Sequence, residues 1–139
     1  MAFPPREEYE RFLYSLSELY SEIDRSTVKL YMNSPSTCFV RGSIVFQNGL
    51  ELQVFEYLDL IDGELLSYSY TIFQKGEKIR WYDPQSHPEN AALKATFPHH
   101  FHEPPDIRHN RKPAYGISFT EPNLSAIIDH CIHVNKIFF

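Results

Sequence analysis

The chain has 139 residues, 42% of them apolar and 15% aromatic, with two cysteines and a net charge of −5. That length suits a single domain, residues 1–139, around one modest core, and the apolar content argues against disorder. Overall acidity speaks against a general nucleic-acid coat, and two cysteines without CxxC spacing speak against a disulfide scaffold or zinc ribbon.

No apolar run approaches the roughly 18 residues that a membrane span needs, so no membrane association is expected. The N-terminus lacks a basic region followed by a long apolar stretch, and no secretory leader is expected. Cys38 and Cys131 then read as reduced thiols of a cytoplasmic protein. Charge is uneven: residues 75–112 hold seven Lys/Arg against five Asp/Glu, with five of the seven histidines. A basic, imidazole-rich segment in an acidic chain leaves room for a small polyanion site.

In "PPREEYERFLYSLSELYSEI", Tyr9, Phe12, Leu13, Leu16, Leu19, Tyr20 and Ile23 keep the rhythm of one helical face. Glu7, Glu8 and Glu10 suit the positive end of its dipole. "TVKLYM" alternates briefly as a first strand. "CFVRGSIVF" and "QNGLELQVFEYLDL" are strands joined at Asn48-Gly49, a strong hairpin signal. Asp62-Gly63 launches "ELLSYSYTIF", and Lys75-Gly76 leads to "EKIRWY". Beyond Tyr82 the chain reads as one long proline-rich loop, of a kind usually functional or disordered. "EPNLSAIIDHCIHVNKI" closes as a helix capped by Asn123, with Leu124, Ile127, Ile128, Cys131 and Ile132 on one face. The fold class is α+β: a four- to five-stranded antiparallel meander between an N-terminal and a C-terminal helix.

Period-two alternation directs Val40, Ile44, Phe46, Leu50, Leu52, Val54, Leu58, Leu60, Tyr68, Tyr70, Ile72, Ile79 and Trp81 toward the helices. Arg41, Ser43, Gln53, Tyr57, Ser67, Ser69, Thr71, Arg80 and Tyr82 face the other way, a polar and aromatic side over which the loop would fold. Glu56 falls on the apolar side. A bulge or a buried partner accounts for it; a general base or metal ligand at a sheet edge is the alternative.

The segment "TFPHHFHEPPDIRHNRKP" is the chemical centre of the sequence. If "FPHHFH" is extended, Phe97, His99 and Phe101 share one side, and Pro98, His100 and His102 share the other. His99 between phenylalanines reads as a packed structural histidine. His100 and His102, with His87 and Asp83, form a set of three imidazoles and one carboxylate. Metal-free phosphodiester cleavage would use imidazoles for proton transfer, with Arg80, Tyr82, Arg108 or Arg111 steadying the phosphate. A metal version would ligate Zn²⁺, Mn²⁺ or Fe²⁺ through His100, His102 and His87 or Asp83. A connector whose histidines only bond to backbone and water is the third reading. His130 and His133 read as helix-surface residues, and "HNRKP" as a basic turn.

From about "STVKLYM" to "NLSAIIDH" the chain resembles the TumE-type small proteins, the toxin members of toxin–antitoxin pairs. "FVRGSIVFQNGLELQVFEYLD", "YSYTIFQKGEKIRWYD", "SHPENAALKATFPHHFH" and "PPDIRHNRKPAYGISFTEPNL" carry the likeness; the last is most like the cyanobacterial branch. The resemblance implies a bacterial cytoplasmic toxin, neutralised by an antitoxin protein from a neighbouring gene. Its motif positions here are Arg80, Tyr82, Asp83, His87, Pro88, Pro98, His99, His100 and His102. "DPQSHP" departs from a pattern with an Asn and a second histidine, and Phe101 stands where a basic residue is frequent, removing a phosphate contact.

The expected function is therefore a toxin acting on RNA as a metal-independent ribonuclease. His100, His102, His87, Asp83, Arg80 and Tyr82 are its site residues, with no cofactor and no metal. The rivals are a metal-dependent hydrolase and a non-catalytic protein binding a partner or its own copy as a homodimer. That contact would run through the sheet face or the terminal "KIFF".

Overall fold

The computed structural model describes residues 3–133. Helix α1 spans Arg6–Tyr14 and α2 spans Leu16–Leu19. Pro5 precedes α1, where a fixed φ and a missing N–H cost nothing, and Glu7 and Glu8 occupy the first turn. The expected unbroken helix through Ile23 is interrupted at Ser15 and ends at Tyr20, whose backbone is extended. Tyr9, Leu13 and Leu16 nevertheless keep one buried stripe across the break, whereas Leu19 is exposed.

Eight strands follow: β1 (Ile23–Ser26), β2 (Lys29–Met32), β3 (Thr37–Phe46), β4 (Leu50–Asp59), β5 (Glu64–Gln74), β6 (Glu77–Asp83), β7 (His100–His102) and β8 (Arg111–Pro113). A 3-10 helix covers Ala91–Thr96, and α3 covers Leu124–His133. One antiparallel sheet runs β1-β3-β4-β5-β6-β7-β8, with β2 also paired to β3. The fold is α+β with helices at both ends, as expected, but the sheet has eight strands rather than four or five. Two of the additional strands, β7 and β8, come from the supposed loop, and β1 begins at Ile23, which the helical pattern had absorbed. Apart from β2, which was read in "TVKLYM", strands of three or four residues were too short for alternation to announce them.

Strands β1 and β2 share β3 as partner, and the handover falls at Gly42. Its φ is +147°, and a Cβ there would meet Thr27 O and Val28 Cα at 2.6 Å. Thr27 N–H donates to Ser43 O at 2.9 Å and its Oγ1 accepts from Ser43 N–H at 2.9 Å, so the crossing chain is stitched over this glycine.

The core lies between the helices and one sheet face, where Val40, Ile44, Leu52, Leu58, Tyr70 and Ile72 meet Tyr9, Leu13, Leu124 and Ile128. Along β3, β4 and β5 the alternation is as read. In β6 it is not. The β5–β6 register shifts between Ile72 and Phe73, after which Thr71 pairs with Trp81 and Tyr70 with Tyr82. Partners across an antiparallel ladder point the same way. The bulge therefore turns Arg80 and Tyr82 toward the helices and Trp81 to the open face, the reverse of the sequence expectation. No hairpin or glycine signal marks such an inserted residue.

Glu56 is fully buried, and it has partners. The Tyr9 and Tyr70 hydroxyls each donate to its carboxylate at 2.5 Å, and Asn123 Nδ2 donates to the Tyr70 oxygen at 3.4 Å. Helix α1, the sheet and the start of α3 meet on this one carboxylate. Asn123 stands at the expected N-cap position and its carbonyl accepts from Ile127, but its side chain bonds the backbone of Ser118 and the Tyr70 hydroxyl instead of capping the helix. The "KIFF" terminus, with Phe138 and Phe139, lies outside the described residues.

Replacing Gly42 with alanine should lower stability by roughly 3 kcal/mol in urea denaturation, combining backbone strain with a backbone clash. Burial, opposed by the two tyrosine hydrogen bonds, raises the pKa of Glu56. A raised folded pKa stabilises below the unfolded value of about 4.3 and is lost as pH rises through the folded one. The stability of wild type relative to Glu56→Gln should accordingly fall as pH rises from about 4; a gap independent of pH would remove this account.

Candidate functional site

Three side chains converge where β6 and β7 pair. Asp83 lies opposite His100 and Trp81 opposite His102, while Tyr82 and Phe101 turn to the other face. The alternation read in "HFH" therefore holds, but on a paired strand rather than in a loop. His100 Nε2 is 3.1 Å from Asp83 Oδ1, His102 Nε2 is 3.1 Å from Asp83 Oδ2, and the two Nε2 atoms are 3.1 Å apart. Exposure is 1% for His100, 3% for His102 and 7% for Asp83, so the cluster lies beneath the surface.

The orientation of each ring has a visible cause. His100 Nδ1 faces the Pro98 carbonyl at 3.0 Å, which can only accept, so Nδ1 carries a proton and a neutral ring keeps its Nε2 lone pair toward Asp83. His102 stacks on Trp81 with centroids 4.4 Å apart, and Trp81 Nε1 donates to Ser69 Oγ at 3.2 Å. The His102 Nδ1 is buried without a hydrogen-bond partner among the described residues, so stacking fixes this ring instead. Trp81 and the Pro98 carbonyl are the contributors that sequence reading missed. The β6 bulge hid the first, and no side-chain pattern reports the second. Burial works against ionisation of Asp83, but the neighbouring His100 and His102 imidazoles and a hydrogen bond from the Gln85 backbone outweigh it and hold the carboxyl well below its ordinary range.

His87 stands at the rim. Its ring meets His100 edge-on with centroids 5.0 Å apart, and its Nε2 is buried without a partner among the described residues. Burial, then the nearby Arg111 and His100, lower its pKa. It lines a cavity of about 550 Å³ with Pro88, Glu89, Asn90, Ala91, Lys94 and Phe97. Asp83 lines another of about 370 Å³ with Ser67, Ser69 and Trp81 among its walls. Arg111 reaches the site from β8, where it pairs with His102.

Arg80 and Tyr82 are not part of this constellation. The Arg80 guanidinium lies 4.1 Å from the Phe101 ring centroid, bonds Tyr82 Oη at 3.2 Å, and reaches Glu103 at 3.3 Å. Arg80, Tyr82 and Phe101 line a cavity under α3 with His130, on the opposite side of the sheet from His100. The half-buried His130 has its pKa brought down to about 4 by burial and by Arg80. His99 is the structural histidine expected of it: the Tyr68 hydroxyl meets its Nδ1 at 2.6 Å, and Phe119 packs on it at 4.6 Å.

Across the same open face, away from the cluster, lies an aromatic group. Phe39 and Tyr57 stack at 4.7 Å, Phe55 lies 5.8 Å from Phe39, and the exposed Arg41 sits 5.4 and 5.6 Å over Phe39 and Phe55. Ser67 and Ser69 on β5 join this group to Trp81 and the cluster.

A family model described as Toxin TumE matches residues 11–135, most of the chain. No curated protein and no solved structure matches it. Among the described residues no helix is long and apolar enough to cross a membrane.

The proton position inferred for His100 is directly measurable. In long-range ¹H–¹⁵N spectra at neutral pH, its Nδ1 should resonate as a protonated nitrogen and its Nε2 as a bare or ligated one. The reverse pattern would mean that the Pro98 carbonyl does not orient the ring.

Proposed function

The chain belongs to the TumE toxin family, and on that footing we propose that it is the toxin of a toxin–antitoxin pair and acts by cleaving single-stranded RNA. The observation that carries this reading is continuity. The Asp83–His100–His102 cluster ends the same sheet face that presents Arg41, Phe39, Phe55 and Tyr57. Aromatic rings beside a guanidinium on an open sheet accept stacked bases and backbone phosphates without needing a duplex. With neighbouring strands about 4.8 Å apart, Phe55 on β4 and Asp83 on β6 lie about 10 Å apart, a span of one to two nucleotides.

Phosphodiester cleavage calls for a base, an acid and positive charge at the phosphorane. His100 and His102 are too deeply buried for both to touch a polymer. His87, whose lowered pKa favours the neutral ring and which lines the rim cavity, is the imidazole to which this reading assigns proton exchange with substrate. Lys94 in that cavity and Arg111 beside His102 supply positive charge. Arg80, expected from the sequence to bind phosphate, instead holds β6 to β7 from the other face. The partner is an antitoxin protein, and the open face is the surface it would have to cover to silence the toxin.

Two measurements separate the parts of this reading. Growth inhibition and RNA cleavage should both disappear in a folded His100→Ala/His102→Ala protein and fall sharply in His87→Ala. Arg41→Ala and Phe55→Ala should weaken binding of a short single-stranded oligoribonucleotide by roughly 5- to 100-fold, the worth of one stacked base. Undiminished toxicity in the double variant ends the catalytic reading. Unchanged RNA affinity with lost antitoxin binding would make the face a protein interface instead.

A further inference from the structure

The three contacts of the cluster are compatible with one another only in a particular chemical state. Each is 3.1 Å long, and each joins two atoms that are acceptors when unprotonated. With Asp83 ionised, a proton on His102 Nε2 serves its contacts to Asp83 and His100 but leaves the His100 lone pair facing Asp83 Oδ1. A proton on His100 Nε2 leaves the lone pair of His102 facing Oδ2. Protons on both set two N–H groups against each other. With Asp83 ionised, no arrangement of protons makes all three contacts attractive, and burial of both imidazoles limits how far water screens the residual repulsion.

A cation at the centre resolves all three at once. We propose that Asp83, His100 and His102 form a binding site for one divalent first-row transition ion, of the Zn²⁺ or Mn²⁺ class.

The geometry suits that occupant. An ion about 2.1 Å from both atoms of a 3.1 Å edge subtends about 95° across it, close to the right angle of facial octahedral ligands. Two imidazoles and one carboxylate select a borderline divalent ion, while the thiols of Cys38 and Cys131 are buried elsewhere in the core. The Nδ1–H of His100 already donates to the Pro98 carbonyl, the outer contact that fixes a ligating imidazole with its lone pair inward. A facial triad leaves further positions free for water or a phosphate oxygen, and the ring of His87, whose Nε2 has no hydrogen-bond partner among the described residues, meets that of His100. The other group of close carboxylates, Asp59, Asp62 and Glu64, is explained without an ion, because Asp59 Oδ1 accepts the backbone N–H groups of Ile61 and Asp62.

The inference rests on these contacts and not on the RNA reading, so the two can fail separately. Full-length protein carrying no histidine tag would be stripped with a chelator, dialysed, and titrated calorimetrically with Zn²⁺ and Mn²⁺. Cobalt would then be added as a spectroscopic probe. One ion per chain is expected, with a raised Tm and visible cobalt bands. Asp83→Asn and His102→Gln should weaken binding by more than the roughly 10- to 100-fold that follows loss of an outer hydrogen-bond partner, and should erase those bands. Asp62→Asn should change neither. A folded, stripped protein that takes up no ion at millimolar concentration overturns the proposal. So does equal affinity in the Asp83 and His102 variants, or loss of binding in Asp62→Asn. An ion bound as expected by a protein that cleaves no RNA would leave this site standing and remove the proposed substrate.

Discussion

The pairing of β6 with β7 is the contact on which the site depends. It covers only three residue pairs, Trp81 with His102, Tyr82 with Phe101 and Asp83 with His100. Because side chains alternate with a period of two, a slip by one residue would carry both imidazoles to the helical side and leave Asp83 opposite a phenylalanine. Three pairs fix a register weakly by themselves. They are reinforced on both faces: His102 stacks on Trp81 above, Arg80 covers Phe101 below, and Glu103 holds Arg80 and Lys112 just beyond the strand. Each cation–π contact of this kind contributes about 0.5–2 kcal/mol, enough to choose between registers that differ in little else.

The sheet buries two carboxylates and satisfies them in different ways. Glu56, opposite Val40 and Tyr68, receives two phenolic hydroxyls whose own pKa values burial and the Glu56 charge push up. Phenols kept protonated in this way donate to the carboxylate, and the arrangement is fixed. Asp83 receives two imidazoles, which can each present a proton or a lone pair. The first carboxylate joins helices to sheet. The second is surrounded by imidazoles, groups able to exchange protons or to ligate, and it lines a cavity that opens to solvent.

Legibility of the fold follows the length of its elements. Long strands with tight turns, β3 to β6, were readable from Asn48-Gly49, Asp62-Gly63 and Lys75-Gly76, and α3 from its buried stripe. The interruption of the first helix was not, because its apolar rhythm runs on across Ser15, and neither were β1, β7 and β8, whose three or four residues barely display a period. Within the site, the same-side placement of His100 and His102 was legible because alternation is a property of any extended chain. The role of Trp81 was not. It depends on one inserted residue in β6, a long-range fact about pairing with β5 that no local signal records. That single bulge also explains why Arg80 and Tyr82, neighbours of Asp83 in sequence, lie on the wrong face to assist it.

The same geometry changes the meaning of the two departures that the sequence resemblance implied. Phe101, standing where a basic residue is frequent, points away from the cluster and lies under Arg80. A second cation there would press against that guanidinium, so the phenylalanine removes no phosphate contact from the open face and instead secures the strand that carries both imidazoles. The missing histidine of "DPQSHP" falls at Ser86, which is exposed, whereas His87 is the residue whose ring meets His100. The chain has therefore kept the imidazole that touches the cluster. A histidine at exposed position 86 would lie outside the arrangement of Asp83, His100 and His102.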